Sequence, residues 1–169
     1  MRRADRLIRI LASYGRFHRD PRNRRTHYFG VPAIIYAVLV ALALAVPTAF
    51  GMPLPLDRLV VAAAAAGYLW LDIRLGLALS AVLALLAAAA EATVALEPAV
   101  ALGAAATAFV LGWALQLLGH RLEGNRPALL TNLAQILSAP LFLVAELGFA
   151  LGCRRQLQLE VERRLGHAP

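Results

Sequence analysis

The 169-residue sequence contains a single cysteine, no lysine and few aromatic residues, and only 16% of its residues are charged. The lone Cys153 excludes a secreted domain built on disulfide bonds, and the length excludes a multidomain enzyme. A hydrophobic content of 60% excludes a disordered chain, whereas a soluble domain would carry about 25% charged residues. With a mean hydropathy of +0.66, these values favour a chain embedded in lipid.

All 17 basic residues are arginines, and most of them lie near the two ends of the sequence. A basic surface also attracts nucleic acid, but no nucleic-acid-binding motif is present and the arginines flank the apolar runs, where lipid headgroups lie. We therefore expect membrane lipids, and no nucleic acid, as partners. The exclusive use of arginine and the abundance of alanine are typical of a GC-rich bacterial genome. The terminal arginines are Arg2, Arg3, Arg6, Arg9, Arg16, Arg19, Arg22, Arg24, Arg25, Arg154, Arg155, Arg163 and Arg164.

The hydrophobic pattern predicts an all-α, polytopic integral membrane protein with four transmembrane helices. An amphipathic helix over 2–14, with Leu7, Leu11 and Tyr14 on one face, is expected to lie on the lipid surface. An irregular segment or short helices should follow over 15–30. The expected spans are 31–50, with Pro32 in its first turn, then 59–71, 75–90 and 99–119.

Two features interrupt the apolar runs. We expect Asp72 and Arg74 to lie in a tight turn between two short helices and to form an ion pair, because a charge within the bilayer is costly. Pro140 should break the last apolar stretch into two half-helices. A re-entrant hairpin is favoured over a fifth crossing there, because it returns the C-terminal arginines to the side of the N-terminus. A basic amphipathic helix is expected over 153–166.

The sequence is thus interpreted as one membrane domain, residues 1–169, in four parts. A cytoplasmic amphipathic helix and histidine-bearing segment occupies 1–30, and the four spans occupy 31–119. A His/Glu motif with a broken helical hairpin occupies 120–152, and a basic tail occupies 153–169. The positive-inside rule places both termini in the cytoplasm, at the inner membrane of a bacterium. An oligomer is compatible with the sequence.

Three of the four histidines, His18, His27 and His120, should lie at the cytoplasmic ends of membrane helices. Glu123 follows His120 by three residues, so both side chains share one face if the helix continues. Neutral imidazoles with an oxygen ligand suit Fe(II), Zn(II) or Mn(II), and three ligands leave the open positions that oxygenases use. Spacing alone leaves a second interpretation open, in which the histidines are structural and hydrogen-bonded to the backbone or to lipid phosphate.

Two segments carry a resemblance to a known family. The first is Tyr14-x3-His18-x4-Asn23-x3-His27-x2-Gly30-x-Pro32, and the second runs from Trp113-x2-Gln116-x2-Gly119-His120-x2-Glu123-x2-Arg126-Pro127 to Asn132-x2-Gln135-x3-Ala139-Pro140. Together they resemble the 2-hydroxy fatty acid dioxygenase family, a group of small membrane proteins with a characterised fungal member in phytosphingosine breakdown. The spans between the two segments match only in hydropathy.

The resemblance implies an Fe2+-dependent α-oxidation, in which a 2-hydroxy fatty acid and O2 yield an acid one carbon shorter. It makes His18, His27 and His120 the candidate metal ligands, and Glu123 either a further ligand or a residue that orients a histidine. Glu123 departs from the fungal pattern by having one residue fewer after the histidine. Asp72 is a minor candidate ligand, and His167 is expected to be a solvated tail residue.

Other polar residues near the same membrane face receive expected roles. Arg126, with Arg22, Arg24 and Arg25, can hold a substrate carboxylate in a bidentate fork. Attraction to anionic lipid headgroups is favoured for Arg22, Arg24 and Arg25 and is an equal alternative for Arg126. Asn23 is expected to position ligands by hydrogen bonding, together with Gln116, Asn132 and Gln135. Four side chains are expected to be interfacial aromatic anchors, namely Tyr14, Tyr28, Phe29 and Trp113.

Two alternatives to the dioxygenase remain at the level of the sequence. One is a non-catalytic lipid-binding or assembly protein with structural histidines, which would leave the three side chains dispersed. The other is hydrolysis or desaturation on a metal. Membrane desaturases use repeated histidine clusters, and the four histidines of this chain are too few for that arrangement.

Overall fold

The fold is a helical bundle capped at one end by two short amphipathic helices, which confirms the predicted all-α membrane class. The structure, a computed structural model, describes residues 2–45, 48–49, 52–124 and 134–166. Within these ranges the helices are α1 (Arg3–Gly15), α2 (Pro21–Leu44), α3 (Leu56–Leu71), α4 (Ile73–Val94), α5 (Pro98–Glu123), α6 (Ala134–Ala150) and α7 (Arg155–Leu165). A small antiparallel hairpin, β1 (Thr48–Ala49) and β2 (Met52–Pro53), joins α2 to α3.

Helix α1 forms where the amphipathic pattern predicts it, but its apolar face does not lie on lipid. Leu7 and Leu11 are fully buried, in a core that α1 shares with α6 and α7. The apolar stripe that was expected to face lipid packs on protein instead. The structure thereby covers the end of the bundle with a two-helix cap.

Helix α2 begins earlier and ends earlier than the predicted span. Pro21 occupies the first turn, and the Asp20 carboxylate accepts the backbone N–H of Arg22 at 2.8 Å, which is a standard N-terminal cap. The segment 15–30, expected to be irregular or to form short helices, is instead part of this long helix from Pro21 onward, and Pro32 lies inside the helix. This correction places His27 on a helix rather than in a loop.

The turn between α3 and α4 is as tight as predicted, but its charge pairing differs. Asp72 caps α4 by accepting the backbone N–H groups of Arg74 and Leu75. Its carboxylate forms a bidentate ion pair with Arg154, at 2.8 and 2.7 Å, so the expected pair with Arg74 was wrong. Arg154 was not a local candidate, because it lies 82 residues away in sequence. The pair ties the α3–α4 turn to the start of α7.

Three helices, α2, α4 and α5, are long and apolar enough to cross a membrane, and α6 with α7 would add a fourth as a bent pair. Helix α3 is shorter, at 16 residues. Pro140 does not break the last stretch, because α6 continues through it and loses only the one hydrogen bond that proline cannot donate. The bend of 118° comes between α6 and α7 instead, where Gly152 and Arg154 adopt positive φ angles of 75° and 57°.

Candidate metal centre

Three histidines from separate parts of the chain converge under the helical cap. His18 lies in the loop between α1 and α2, His27 lies in α2, and His120 lies near the end of α5. Their exposed fractions are 3%, 1% and 5%. One ring nitrogen from each lies within 4.8 Å of the others. Within the described ranges, these three side chains form the group that can hold a metal ion.

The hydrogen bonds of His18 and His27 fix which ring nitrogen faces the centre. The Nδ1 of His18 lies 2.9 Å from the Tyr14 carbonyl oxygen, and the Nδ1 of His27 lies 2.9 Å from the Asn23 carbonyl oxygen. A carbonyl only accepts, so each Nδ1 carries the proton and donates. Each neutral ring therefore has a lone pair on Nε2, and these two Nε2 atoms face each other at 3.2 Å.

Two facing lone pairs at this distance repel each other unless a cation or a proton lies between them. His120 also has a ring nitrogen that requires a partner, because its Nδ1 is buried without a hydrogen bond in the described part of the chain. A divalent transition metal satisfies such imidazole nitrogens, and carbonyl-bound Nδ1–H groups are the usual second contacts of metal-bound histidines. The donor set therefore fits a metal ion.

Burial keeps the His18 ring neutral. It lowers the pKa of His18 to about 4, and the nearby positive charge of Arg24 acts in the same direction. These effects outweigh the hydrogen bond to Tyr14, which raises the pKa. A neutral ring is the form that binds metal. Tyr14 also stacks on His18 with ring centroids 3.9 Å apart and an interplanar angle of 3°, so Tyr14 is a buried support of the site and its expected role as an interfacial anchor was wrong.

Glu123 is engaged by the loop that carries His18. Its carboxylate accepts the backbone N–H groups of Arg19 and Asp20 and the side-chain amide of Asn23. The carboxylate thus lies at the N-terminus of α2, where helix N–H groups favour a negative charge. Helix α5 does continue from His120 to Glu123, as the spacing predicted. Among the described residues, however, the group of side chains close enough to hold one metal ion consists of the three histidines and does not include Glu123.

Asn23 links these elements from a fully buried position, with 0% of its surface exposed. Its backbone carbonyl orients His27, and its side-chain amide holds Glu123. The same residue therefore supports the ring of one histidine and the loop of another. These contacts agree with the hydrogen-bonding role expected for Asn23. Asn23 precedes His27 by four residues, about one helical turn, so its carbonyl lies next to the His27 ring.

Two glycines of α5 let α2 and α5 approach each other, a role that was not predicted from the sequence. A Cβ on Gly119 would lie 2.2 Å from Thr26 Oγ1 and 2.3 Å from Asn23 Oδ1. A Cβ on Gly112 would lie 2.7 Å from a side-chain carbon of Ile34. Gly112 and Gly119 are seven residues apart, so they share one face of α5, and that spacing was the available signal.

An apolar cavity of about 280 Å³ extends from the histidines between α2 and α5. It is lined on α2 by His27, Val31, Ile34, Ile35 and Val38, and on α5 by Phe109, Trp113, Gln116 and His120. From His120 to Phe109 the helical rise spans about 16 Å. Trp113 lines this cavity, which differs from its expected role as an interfacial anchor. The site thus joins a polar histidine centre to a long apolar slot.

The arginines proposed as carboxylate or lipid ligands are partly occupied. Arg24 forms an ion pair with Glu146 of α6, and Arg22 pairs with Asp20 at 2.8 Å. The Arg22 side chain remains 64% exposed, so contact of these arginines with lipid headgroups stays a prediction. Arg126, Asn132 and His167 lie outside the described residues. The carboxylate of Asp72 binds Arg154 instead of approaching the histidines.

Fold and site together define a polytopic helical membrane protein with a three-histidine, metal-capable centre at the head of an apolar cavity. The family described as 2-hydroxy-palmitic acid dioxygenase Mpo1-like matches residues 5–151, so the chain belongs to this family. The matched range contains all three histidines and Glu123, and it confirms the resemblance drawn from the two motifs. No curated protein and no solved structure matches the chain.

Proposed function

We propose that this protein is an Fe2+-dependent dioxygenase that shortens 2-hydroxy fatty acids by one carbon through α-oxidation. The observation that carries the proposal is the pair of Nε2 atoms of His18 and His27, which face each other at 3.2 Å while both Nδ1 groups are committed to carbonyls. A purely structural pair of histidines would have one ring donating to the other. Membership in the Mpo1-like family supports the choice of substrate and co-substrate.

His18, His27 and His120 would hold the iron, and the remaining residues prepare the site for substrate. Bound iron would supply the redox chemistry with O2 and a chelation point for the hydroxyl and carboxylate of the acid. The overall reaction balances without a further reductant, because one 2-hydroxy acid and one O2 contain the same atoms as the acid one carbon shorter, CO2 and water. The apolar cavity excludes water and holds the acyl chain between α2 and α5.

Polar residues around the centre would orient the substrate and the ligands. We propose Arg126, which lies outside the described residues, for the carboxylate, through a bidentate fork. Glu123 and Asn23 position the metal ligands through the contacts described above. The centre would lie at the cytoplasmic face of a bacterial inner membrane, the side on which the arginines of the first 25 residues are expected.

The test is metal content and turnover of the detergent-purified protein, reconstituted anaerobically with Fe2+. We expect stoichiometric iron in the wild type and its loss in His18→Asn, His27→Asn and His120→Asn, because asparagine keeps a polar side chain but offers no imidazole. With O2, only the wild type should convert 2-hydroxypalmitate into the acid one carbon shorter. Product analysis by mass spectrometry measures this directly.

His167→Asn is the matched control, because His167 lies outside both motifs and should leave iron and turnover unchanged. Size-exclusion profiles of all variants check that each remains folded. Iron without turnover of 2-hydroxypalmitate would discard the substrate and keep the site. No iron in the folded wild type would refute the enzyme and leave a membrane protein with structural histidines.

A further inference from the structure

The outer face of the two-helix cap carries an open groove between α1 and α7. The groove has a volume of about 450 Å³ and is lined by Arg9, Ala12, Ser13, Arg16 and Arg164. The three arginines are exposed, whereas Ala12 is buried between the helices. Leu7 and Leu11, which pack on the bundle, lie on the opposite face of α1. The groove is therefore separate from the histidine centre and its apolar cavity.

Two helices bring the three guanidinium groups of the groove together. Arg9 and Arg16 are seven residues apart, about two helical turns, so they share one face of α1. Arg164 lies in the last turn of α7. The two helices end side by side, because a Cβ on Gly15 of α1 would lie 3.4 Å from a side-chain carbon of Leu165 of α7. Arg16 and Arg164, each the neighbour in sequence of one of these residues, therefore lie at the same end of the groove.

The carboxylates of the same two helices pair with residues outside the groove. Asp5 and Glu160 each precede a groove arginine by four residues, which is the spacing and order that favour an ion pair on a helix. Neither of these pairs forms, because Asp5 binds Arg2 at 3.8 Å and Glu160 binds Arg163 at 3.0 Å. In the part of the chain that the structure describes, none of the three groove arginines has an ion pair. The groove thus holds three positive charges and no negative one.

The number and type of the charges indicate which anion the groove fits. Like charges in one groove repel each other, and an anion bound between them removes that repulsion. A guanidinium group binds carboxylate or phosphate through two parallel N–H donors. A carboxylate has only two oxygens, which one guanidinium fork already engages. A terminal phosphate has three acceptor oxygens and a charge close to −2, so it matches three arginines that approach from two helices.

We propose that this groove is a binding site for a terminal phosphate group, held by Arg9, Arg16 and Arg164 across the two cap helices. The phosphate can belong to the headgroup of a lipid such as phosphatidic acid or to a free phosphate, because both present the same three oxygens. A bound phosphate would join α1 to α7, and α1 leads directly into the loop that carries His18. The proposal requires neither a metal nor a fatty acid, so it is independent of the proposed function.

The experiment measures the binding of two probes to protein purified in a phosphate-free detergent at constant ionic strength. Phosphatidic acid is followed by native mass spectrometry as a one-to-one complex, and inorganic phosphate by the broadening of its phosphorus NMR line. Arg9→Gln, Arg16→Gln and Arg164→Gln keep a polar side chain but remove the charge. Each should weaken binding about tenfold, the value of one charge-assisted hydrogen bond. Phosphatidylglycerol, whose phosphodiester has one free oxygen fewer, should bind the wild type about tenfold more weakly than phosphatidic acid.

Arg2→Gln and Arg155→Gln are the matched controls. Each removes one exposed positive charge at the start of α1 or α7, outside the groove, and should change binding by less than about twofold because salt screens such distant charges. If the groove variants weaken one probe alone, that probe identifies the source as lipid or free phosphate, and if they weaken both, the site accepts either source.

Three results would overturn the site. They are no saturable binding of either probe, equal losses in the groove and control variants, and equal affinities for phosphatidylglycerol and phosphatidic acid. Each would leave a diffuse basic surface in place of a defined site. The groove variants retain all three histidines, so iron content and turnover test the proposed function separately.

Discussion

Replacing Gly119 with alanine should disturb the whole histidine centre with one methyl group. The added Cβ would lie 2.2 Å from Thr26 Oγ1 and 2.3 Å from Asn23 Oδ1, whereas ordinary contact begins at 3.4 Å. Helices α2 and α5 must therefore separate by about 1 Å, since neither neighbour is the far end of a long flexible side chain. His27 lies on one of these helices and His120 on the other, so their nitrogens separate too.

The expected size of the effect follows from two opposing contributions. Overpacking costs typically 1–3 kcal/mol, and alanine in place of glycine within a helix returns roughly 0.5–1 kcal/mol. We expect a net loss of about 1–2 kcal/mol in unfolding free energy. Metal affinity should fall at least tenfold, because Asn23 also supports Glu123 and the His18 loop and such supporting contacts are worth about 10–100-fold.

The assay is a metal titration of the purified protein beside a thermal unfolding curve. Gly103→Ala is the matched control, because Gly103 lies on the same helix and a Cβ there meets nothing within 4 Å. That variant should bind metal as the wild type does and be equally or more stable. If Gly119→Ala bound metal with wild-type affinity, the close approach of α2 and α5 would not be what positions the histidines.

Two further predictions follow from the supporting contacts and the buried imidazole. Glu123→Gln should lower metal affinity about tenfold while retaining three imidazoles, because the amide accepts the Arg19 and Asp20 N–H groups poorly and repels the Asn23 amide. Glu97→Gln, at the other end of α5, is its control. Equal metal affinities of Glu123→Gln and the wild type would contradict the supporting role of the Glu123 carboxylate. The metal-free protein should lose thermal stability as the pH falls from about 6.5 towards about 4, because the pKa of His18 is lowered to about 4 and the unfolded chain takes up a proton that folded His18 refuses. His18→Asn should flatten that decline, and an equally steep decline in the variant would contradict the assignment.

The amphipathic and apolar patterns predicted most of the fold because they depend on local periodicity. Helices α1, α4 and α5 follow the pattern closely, and the turn at Asp72 was marked by its charges. The start of α2 was missed because Arg22, Arg24 and Arg25 obscure any apolar period. Its cap, Asp20 followed by Pro21, was nevertheless readable in the sequence.

The contacts that no local pattern encodes are those between distant segments. Arg24 reaches Glu146 across 122 residues, and Asp72 reaches Arg154 across 82. From their positions in the sequence, these arginines were expected to contact lipid and Asp72 to pair with a neighbouring arginine, because opposite charges on separate helices meet only once the fold is known. The three histidines were predicted to lie at one membrane face because hydropathy and the positive-inside rule place each at the cytoplasmic end of a membrane helix. The family resemblance made them candidate ligands of one metal.

The spacing between His120 and Glu123 decides what the carboxylate does. Three residues carry Glu123 about 4.5 Å along the α5 axis from His120, which brings it to the backbone of Arg19 and Asp20. A negative charge there stabilises the start of α2, and α2 carries Asn23 and His27. The same contact holds the loop of His18. One carboxylate thus fixes two metal-capable histidines from the helix that carries the third, so the binding energy of a metal is not spent on ordering the loop.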